Sequence, residues 1–263
     1  MYDIYNYLSV VFGMLSQQID IGFVMLSKNT DHRMSLSVIL PVHNQELQIR
    51  KNLDKTLNYL ERMGAEPIIV ENGSTDSSVE EINAARKTHR FIFIKTKESG
   101  KGHALKVGAA SAHGGIIGYM DTDLGVPLRY IPKALRAMSE YDIVIGNRYK
   151  KGAISRRSVL RYIESKLYIW LIQCAYSSKV GDFQCGFKFF RANFLKSNMH
   201  RIKDDKWFFD TKIILLAEKE GRRIFELPVN FTERKKSTVK ISDPLYFIKS
   251  VIVDKLLSER YKN

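Results

Sequence analysis

The chain has 263 residues, 44% of them apolar and 27% charged, and a net charge of +14. That length and apolar share fit one large globular domain or two small ones with a buried core, and exclude a disordered chain. Only two cysteines are present, Cys174 and Cys185, with no Cys-X-X-Cys and no Cys/His cluster, so a structural zinc site is excluded and a reducing compartment is expected.

The charge is unevenly placed. Residues 1–143 hold 16 Lys/Arg and 16 Asp/Glu, whereas residues 144–263 hold 26 and 12. The net charge therefore belongs to the second part, which is expected to face an anion: a nucleotide diphosphate, a lipid phosphate, a membrane surface or nucleic acid. The plain alternative is a lysine-rich solvated surface. Residues 4–27 carry Asp20 as their one charge, but Asn6, Gln17 and Gln18 also interrupt the apolar run and no Lys or Arg precedes Lys28. This reads as an amphipathic or interfacial segment, or a helix packed on the domain, rather than a signal peptide or a span.

From residue 35 strands and helices alternate. Strands are predicted over 36–41, 67–70, 91–94, 115–120 and 142–145, and helices over 46–63, 75–88, 101–113 and 127–139. Beyond Arg148 come a long helix over 155–176, strands over 184–190 and 223–232 around a helix near 207–220, and a last amphipathic helix opened by Asp243-Pro244. The pattern implies an α/β fold: a mainly parallel sheet with helices on both faces and amphipathic helices towards the C-terminus. No repeat, low-complexity tract or Pro/Gly/Ser-rich linker appears. Three parts follow: an extension (1–34), the α/β domain (35–232), and a basic loop with a terminal helix (233–263).

The most informative residues are Asp121-Thr122-Asp123, which end the apolar run 115–120. In open parallel sheets ligands bind at the carboxyl ends of the strands. Two carboxylates held there repel each other unless a cation compensates, so Asp121 and Asp123 are candidate ligands for Mg²⁺ or Mn²⁺ carrying a phosphorylated molecule. A solvated turn is the alternative. Lys101 opens a predicted helix in a Gly-Lys-Gly step, and helix N-termini and lysine both favour phosphate. This is not a Walker A loop. His32, His89, His113 and His200 have no partner pattern and read as surface or helix residues.

Five ordered stretches, Leu40-Pro-Val-His-Asn-Gln-Glu46, Val70-Glu-Asn-Gly-Ser-Thr-Asp76, Gly100-Lys-Gly-His-Ala-Leu105, Asp121-Thr-Asp123 and Gly146-Asn-Arg-Tyr149, resemble the family 2 glycosyltransferases with the GT-A fold. Asp182-Phe-Gln-Cys-Gly-Phe-Lys188, Trp207-Phe-Phe-Asp210 and Phe225-Glu-Leu-Pro-Val229 are similar to the polyprenyl-phosphate sugar synthases, dolichyl-phosphate mannose synthases and dolichyl-phosphate β-glucosyltransferases, with a lean to the glucosyl branch. The resemblance covers about residues 35–250. It implies inverting transfer of a hexose from a nucleotide sugar, UDP-glucose ahead of GDP-mannose, to a polyprenyl phosphate of the dolichyl type. It assigns donor binding to Pro41, His43, Gln45, Glu71, Asn72, Lys101, Gly102, Asp121 and Thr122. It gives the metal to Asp121 and Asp123, with Arg148 and Asp182 beside them in catalysis. Arg148, Arg157, Gln184, Arg234, Lys236 and Lys240 are expected at donor or acceptor phosphate, and Asp210 is a sugar or structural contact. A carboxylate suits ribose hydroxyls, and guanidinium forks match phosphate.

The chain departs from the pattern at Gln45, Asn72, Gly125 and Thr238; the mannose synthases carry Gln at the position of Gly125, which weakens the mannosyl reading. The rival acceptors are a polysaccharide, a lipid-linked oligosaccharide or a protein. A basic nucleic-acid-binding protein is remote, since no binding module and no basic–aromatic interleaving is visible; nucleic acid is not an expected partner. The expected location is the cytoplasmic face of a membrane, held by basic amphipathic helices (155–176 or 244–258), by a membrane-anchored partner or through self-association.

Overall fold

The computed structural model describes residues 35–233, Tyr246 and residues 249–255. The extension at 4–27, His32, the basic loop with Arg234, Lys236, Thr238 and Lys240, and the Asp243-Pro244 helix start lie outside the described residues.

Nine strands are formed among these residues: β1 (Leu36–Val42), β2 (Glu66–Asn72), β3 (Ile92–Thr96), β4 (Ile116–Met120), β5 (Ile143–Asn147), β6 (Ser155–Arg156), β7 (Phe187–Arg191), β8 (Ile224–Pro228) and β9 (Phe231–Thr232). Seven make one sheet in the order β3-β2-β1-β4-β7-β5-β8, and β6 pairs with β9 in a small parallel ribbon. Only β7 runs antiparallel, against both β4 and β5. The carboxyl ends of β1, β2, β3, β4 and β5 therefore share one edge with the loop that enters β7.

Helices cover both faces: α1 (Glu46–Arg62), α2 (Ser78–Ala85), α3 (Lys101–Ser111), α4 (Ile131–Ala137), α5 (Val159–Tyr176), α6 (Ala192–Asn198) and α7 (Phe209–Lys219). Strand alternation splits the core in two. Val38, Leu40 and Val42 meet Leu53, Leu57 and Leu60 of α1 on one face. Ile39 meets Ala104, Leu105 and Ala109 of α3 on the other, where α5, α6 and α7 also pack. Burial on both faces explains why the strands read as continuous apolar runs. Residues 249–255 are helical and meet the end of α5, where Tyr176 Oη donates to Asp254 Oδ2 at 2.9 Å.

The expected fold class is the observed one. Several boundaries differ. The strand foreseen over 184–190 begins at Phe187, because residues 182–186 form the loop that lines the sheet edge. The strand foreseen over 223–232 is two strands in different sheets. Helix α6 was not foreseen. Both cysteines are free, Cys185 buried and Cys174 exposed. Among the described residues no helix is long and apolar enough to cross a membrane.

Candidate active site

At the end of β4, Asp121 donates its N–H to the Gly186 carbonyl at 3.1 Å and accepts from Leu124 N–H at 3.2 Å. Leu124 takes a left-handed φ of 54° in this turn. Asp123 Oδ1 accepts from Gly125 N–H at 2.8 Å. The Asp121 side chain keeps 43% of its surface open, and its Oδ1 lies 3.1 Å from Lys101 Nζ.

Behind that edge lies a buried polar cluster. Lys188 on β7 is fully buried and donates to Asp210 Oδ1 at 2.6 Å and to the Cys185 carbonyl at 2.6 Å. Tyr119 Oη also donates to Asp210 Oδ1, and Lys101 Nζ sits 3.3 Å from Asp210 Oδ2. Burial opposes ionisation of Asp210, yet Lys101 and Lys188 outweigh it and hold the carboxyl below its ordinary range. Burial likewise disfavours the Lys101 ammonium, but Asp121 and Asp210 more than restore it. Asp210 is thus part of the framework that carries Lys101. Lys188, which the sequence reading left without a role, is its counter-ion. A lysine in an otherwise aromatic strand, Phe187-Lys-Phe-Phe190, was the available signal.

On the other side of the edge, Glu71 and Asn72 end β2. Glu71 Oε1 accepts from Ser74 N–H, and Asn72 Nδ2 donates to the Gly100 carbonyl at 3.0 Å. Glu71 Oε2 and Asn72 Oδ1 are both buried with no hydrogen-bond partner. Buried polar atoms are nearly always paired in native proteins, so two orphaned acceptors at the end of one strand, on the ligand edge, suit a donor-bearing ligand. His43 Nδ1 donates to the Asn72 carbonyl at 2.9 Å, tying the β1 loop to this pair.

Several residues expected at ligand are also engaged within the protein. Pro41 lies inside β1, buried and level with Val70, two residues beyond the last β1–β4 pairing at Ile39–Tyr119; the loop begins only at His43. Thr122 is buried and donates its hydroxyl to Gln45 Oε1, while its carbonyl accepts from Asn52 Nδ2 at 3.0 Å. The N-terminus of α3 is closed: the Gly102 and His103 amides donate to the Lys206 and Asp205 carbonyls at 3.1 and 3.0 Å. Gly102 therefore offers no phosphate cradle, and of the Gly-Lys-Gly step only Lys101 reaches the site. Arg148 and Asp182 hold each other. Nε and Nη2 donate to Oδ2 and Oδ1 at 2.7 and 2.8 Å, and the Arg148 and Gln184 amides fill the remaining acceptor sites at 3.1 and 3.2 Å. Both are buried, so the arginine expected at phosphate and the aspartate expected beside it in catalysis brace each other. Gln184 Nε2 donates to Thr211 Oγ1 at 2.9 Å and to the Trp207 carbonyl at 3.3 Å.

Arg157 keeps an open donor. Nη1 donates to Tyr149 Oη and to Ser165 Oγ (3.1 Å), but its buried Nε has no partner. Burial and the neighbouring Arg148 pull its pKa down. Phe231 lies against both guanidinium groups, 5.1 Å from that of Arg148 and 5.7 Å from that of Arg157. This explains Gly125: a Cβ there would stand 2.7 Å from the Phe231 ring. Of the histidines read as surface or helix residues, two have partners, His89 between Asp54 and Glu61 at 2.8 and 3.0 Å, and His113 on Glu66 at 2.7 Å, all away from the carboxyl ends of the strands.

Among the described residues no group of three or more His, Cys, Asp or Glu side chains is arranged around a cation position. The chain itself contributes two carboxylates, Asp121 open and Asp123 beside it. That donor set suits a hard cation whose remaining ligands come from a diphosphate.

Acidic strand ends, a lysine held at the same edge and two orphaned acceptors define an α/β protein with a polar candidate site at the carboxyl edge of its sheet. The chain belongs to glycosyl transferase family 2, whose pattern residues 37–198 match. It is 27% identical over 216 residues to the glycosyltransferase AglD of Haloferax volcanii, across 79% of this chain and 35% of that protein. Two dolichyl-phosphate beta-glucosyltransferases, of Trichomonas vaginalis and Drosophila melanogaster, are 28% and 29% identical, across 79% and 76% of this chain and 68% of each relative. The chain thus spans about a third of the first relative and about two thirds of the others. Its fold is shared by glucosyl-3-phosphoglycerate synthase of Mycobacterium tuberculosis, crystallised with Mn²⁺, UDP and phosphoglyceric acid: TM-score 0.67, 17% identity, 90% of this chain and 81% of that one.

Proposed function

We propose that the protein transfers glucose from UDP-glucose to a polyprenyl phosphate of the dolichyl type, with inversion at the anomeric carbon. The observation that carries this reading is the pairing, at one sheet edge, of the open Asp121 carboxylate beside Lys101 with the orphaned acceptors Glu71 Oε2 and Asn72 Oδ1. The named activities of the Trichomonas and Drosophila relatives support the acceptor and the sugar, and the loss at Gly125 of the glutamine typical of mannose synthases agrees with them. UDP in the related synthase supports the base.

Glu71 and Asn72 would accept from the nucleoside, satisfying atoms that are otherwise buried without partners. Asp121 and Asp123 would hold Mg²⁺ or Mn²⁺, which when bound supplies charge stabilisation to the departing diphosphate. Lys101, fixed between Asp121 and Asp210, places a second positive charge at the same edge without needing to reorganise. Arg157 Nε, buried and without a hydrogen-bond partner among the described residues, would donate to the acceptor phosphate. The acceptor phosphate oxygen is already anionic, so it bonds to the anomeric carbon as the bond to the diphosphate breaks, and no strong base is required.

The test is transfer of radiolabelled sugar from UDP-glucose or GDP-mannose into an organic-extractable product, with and without dolichyl phosphate and with Mg²⁺, Mn²⁺ or EDTA. Glucose incorporation that requires both metal and lipid phosphate, and that Asp121→Asn abolishes, is the expected result. Mannose incorporation would reassign the donor. Sugar appearing only on a polysaccharide or protein acceptor would reassign the acceptor.

A further inference from the structure

Helix α5 has an inner and an outer face of opposite character. Inward, Ile169 and Ile172 are buried in the core, Ser165 touches Arg157, and Tyr168 Oη lies 2.5 Å from Thr211 Oγ1, the atom that also receives Gln184. Outward, Val159, Leu160, Ile163, Leu167 and Trp170 are 49–75% exposed. At 3.6 residues per turn these five fall within an arc of about 100°, one continuous stripe along the helix. They are half of the ten large apolar side chains exposed among the described residues, and a concentration of this kind marks an interaction surface.

The charge around the stripe says what it meets. Residues 150–171 contain six Lys/Arg and one Asp/Glu. Lys151 and Arg156 are exposed just before the helix, and Lys166 is exposed beside the stripe, its Nζ over the Tyr149 ring at 4.5 Å. A two-fold contact with a second copy would set this basic surface against itself. An apolar stripe with Trp, Leu and Ile on one face and Lys/Arg at its edges instead fits a helix lying in an anionic lipid interface.

We propose that α5 is a membrane-docking helix, its Val159–Trp170 stripe entering the acyl boundary of an anionic bilayer and its basic flank meeting the headgroups. Because the inner face of the same helix touches Arg157, Thr211 and Gln184, docking sets the acceptor side of the sheet edge against the lipid surface.

The test is co-sedimentation of the full chain with phosphatidylcholine vesicles containing or lacking phosphatidylglycerol, together with quenching of tryptophan emission by brominated lipid. No polyprenyl phosphate is present, so the result is independent of the proposed reaction. Binding to anionic vesicles with quenching is expected, and Leu160→Ser/Leu167→Ser/Trp170→Ser should weaken partitioning at least about tenfold, since buried apolar area sets interfacial affinity. In a second variant, Lys151→Glu/Arg156→Glu, partitioning should fall about tenfold on anionic vesicles and hardly at all on neutral ones, because each basic residue acts through the surface potential. Thermal melting of both variants checks that they are folded. Unchanged vesicle binding in the folded triple variant would overturn the proposal. So would a dimer that the triple substitution dissolves while lipid binding persists, which would assign the stripe to self-association.

Discussion

The Cα of Gly186 lies so close to Asp121 that a methyl group on it would stand 1.8 Å from Asp121 Oδ2. The Gly186 carbonyl also accepts the Asp121 N–H at 3.1 Å. The loop entering β7 therefore sets the position of the partly open Asp121 carboxylate. Gly186→Ala should displace that side chain and leave the strands in place. Since misplacement of a reacting group by about 1 Å costs about 10²-fold, a loss of that order in sugar transfer is expected, with metal-dependent nucleotide binding weakened in parallel. Calorimetric titration of the variant with UDP and Mn²⁺ checks this. Unaltered binding would mean that Asp121 rotates aside without consequence.

Asp210 pairs with Lys101 and with the fully buried Lys188; its removal leaves Lys188 without a carboxylate inside the core, while Lys101 keeps Asp121. Asp210→Asn should destabilise the fold by about 3–5 kcal/mol, and adding Lys188→Met should recover part of that loss, because an unpaired buried charge costs more than a missing pair. The pH dependence follows from the depressed carboxyl pKa. The stability contributed by ionised Asp210 is complete above the ordinary carboxylate pKa of about 3.9 and is lost as pH falls through the lower folded value. Urea unfolding should therefore show the wild-type advantage over Asp210→Asn undiminished near neutral pH and shrinking below about pH 4. An advantage independent of pH in that range would contradict an ionised Asp210.

The Arg148–Asp182 brace makes a different claim. Asp182→Asn should lower unfolding stability by about 3–5 kcal/mol, and Arg148→Lys should not be benign, because an ammonium cannot reproduce the two-pronged contact. Nucleotide affinity of whatever folded fraction remains should be close to that of the wild type. A stable Asp182→Asn protein that binds donor but does not turn over would return Asp182 to catalysis.

Much of the edge was legible in the chain itself. Asp121 and Asp123 follow an apolar run that has to be a strand, and Glu71 and Asn72 end another, so alternation alone brings all four to the carboxyl side of one sheet. What composition and spacing did not disclose is which polar groups are used up internally. Gln45 and Thr122 are 77 positions apart and satisfy one another. The Lys101 helix looks open in sequence, yet the 204–207 segment, about a hundred residues later, covers its first amides. Arg148 reads as a phosphate ligand, and only the structure shows that Nε and Nη2 of its guanidinium also hold Asp182.

The sequence by itself determined the α/β alternation, the acidic strand ends, the basic second part and the amphipathic character of α5, because these follow from local periodicity and composition. The tertiary structure alone decided that β7 runs antiparallel, that Lys188, Asp210, Tyr119 and Lys101 share one buried cluster, and that Gly125 makes room for Phe231. Those outcomes depend on contacts between distant segments. The cost of burying a charge or a polar atom without a partner selects among the pairings that the sequence leaves open.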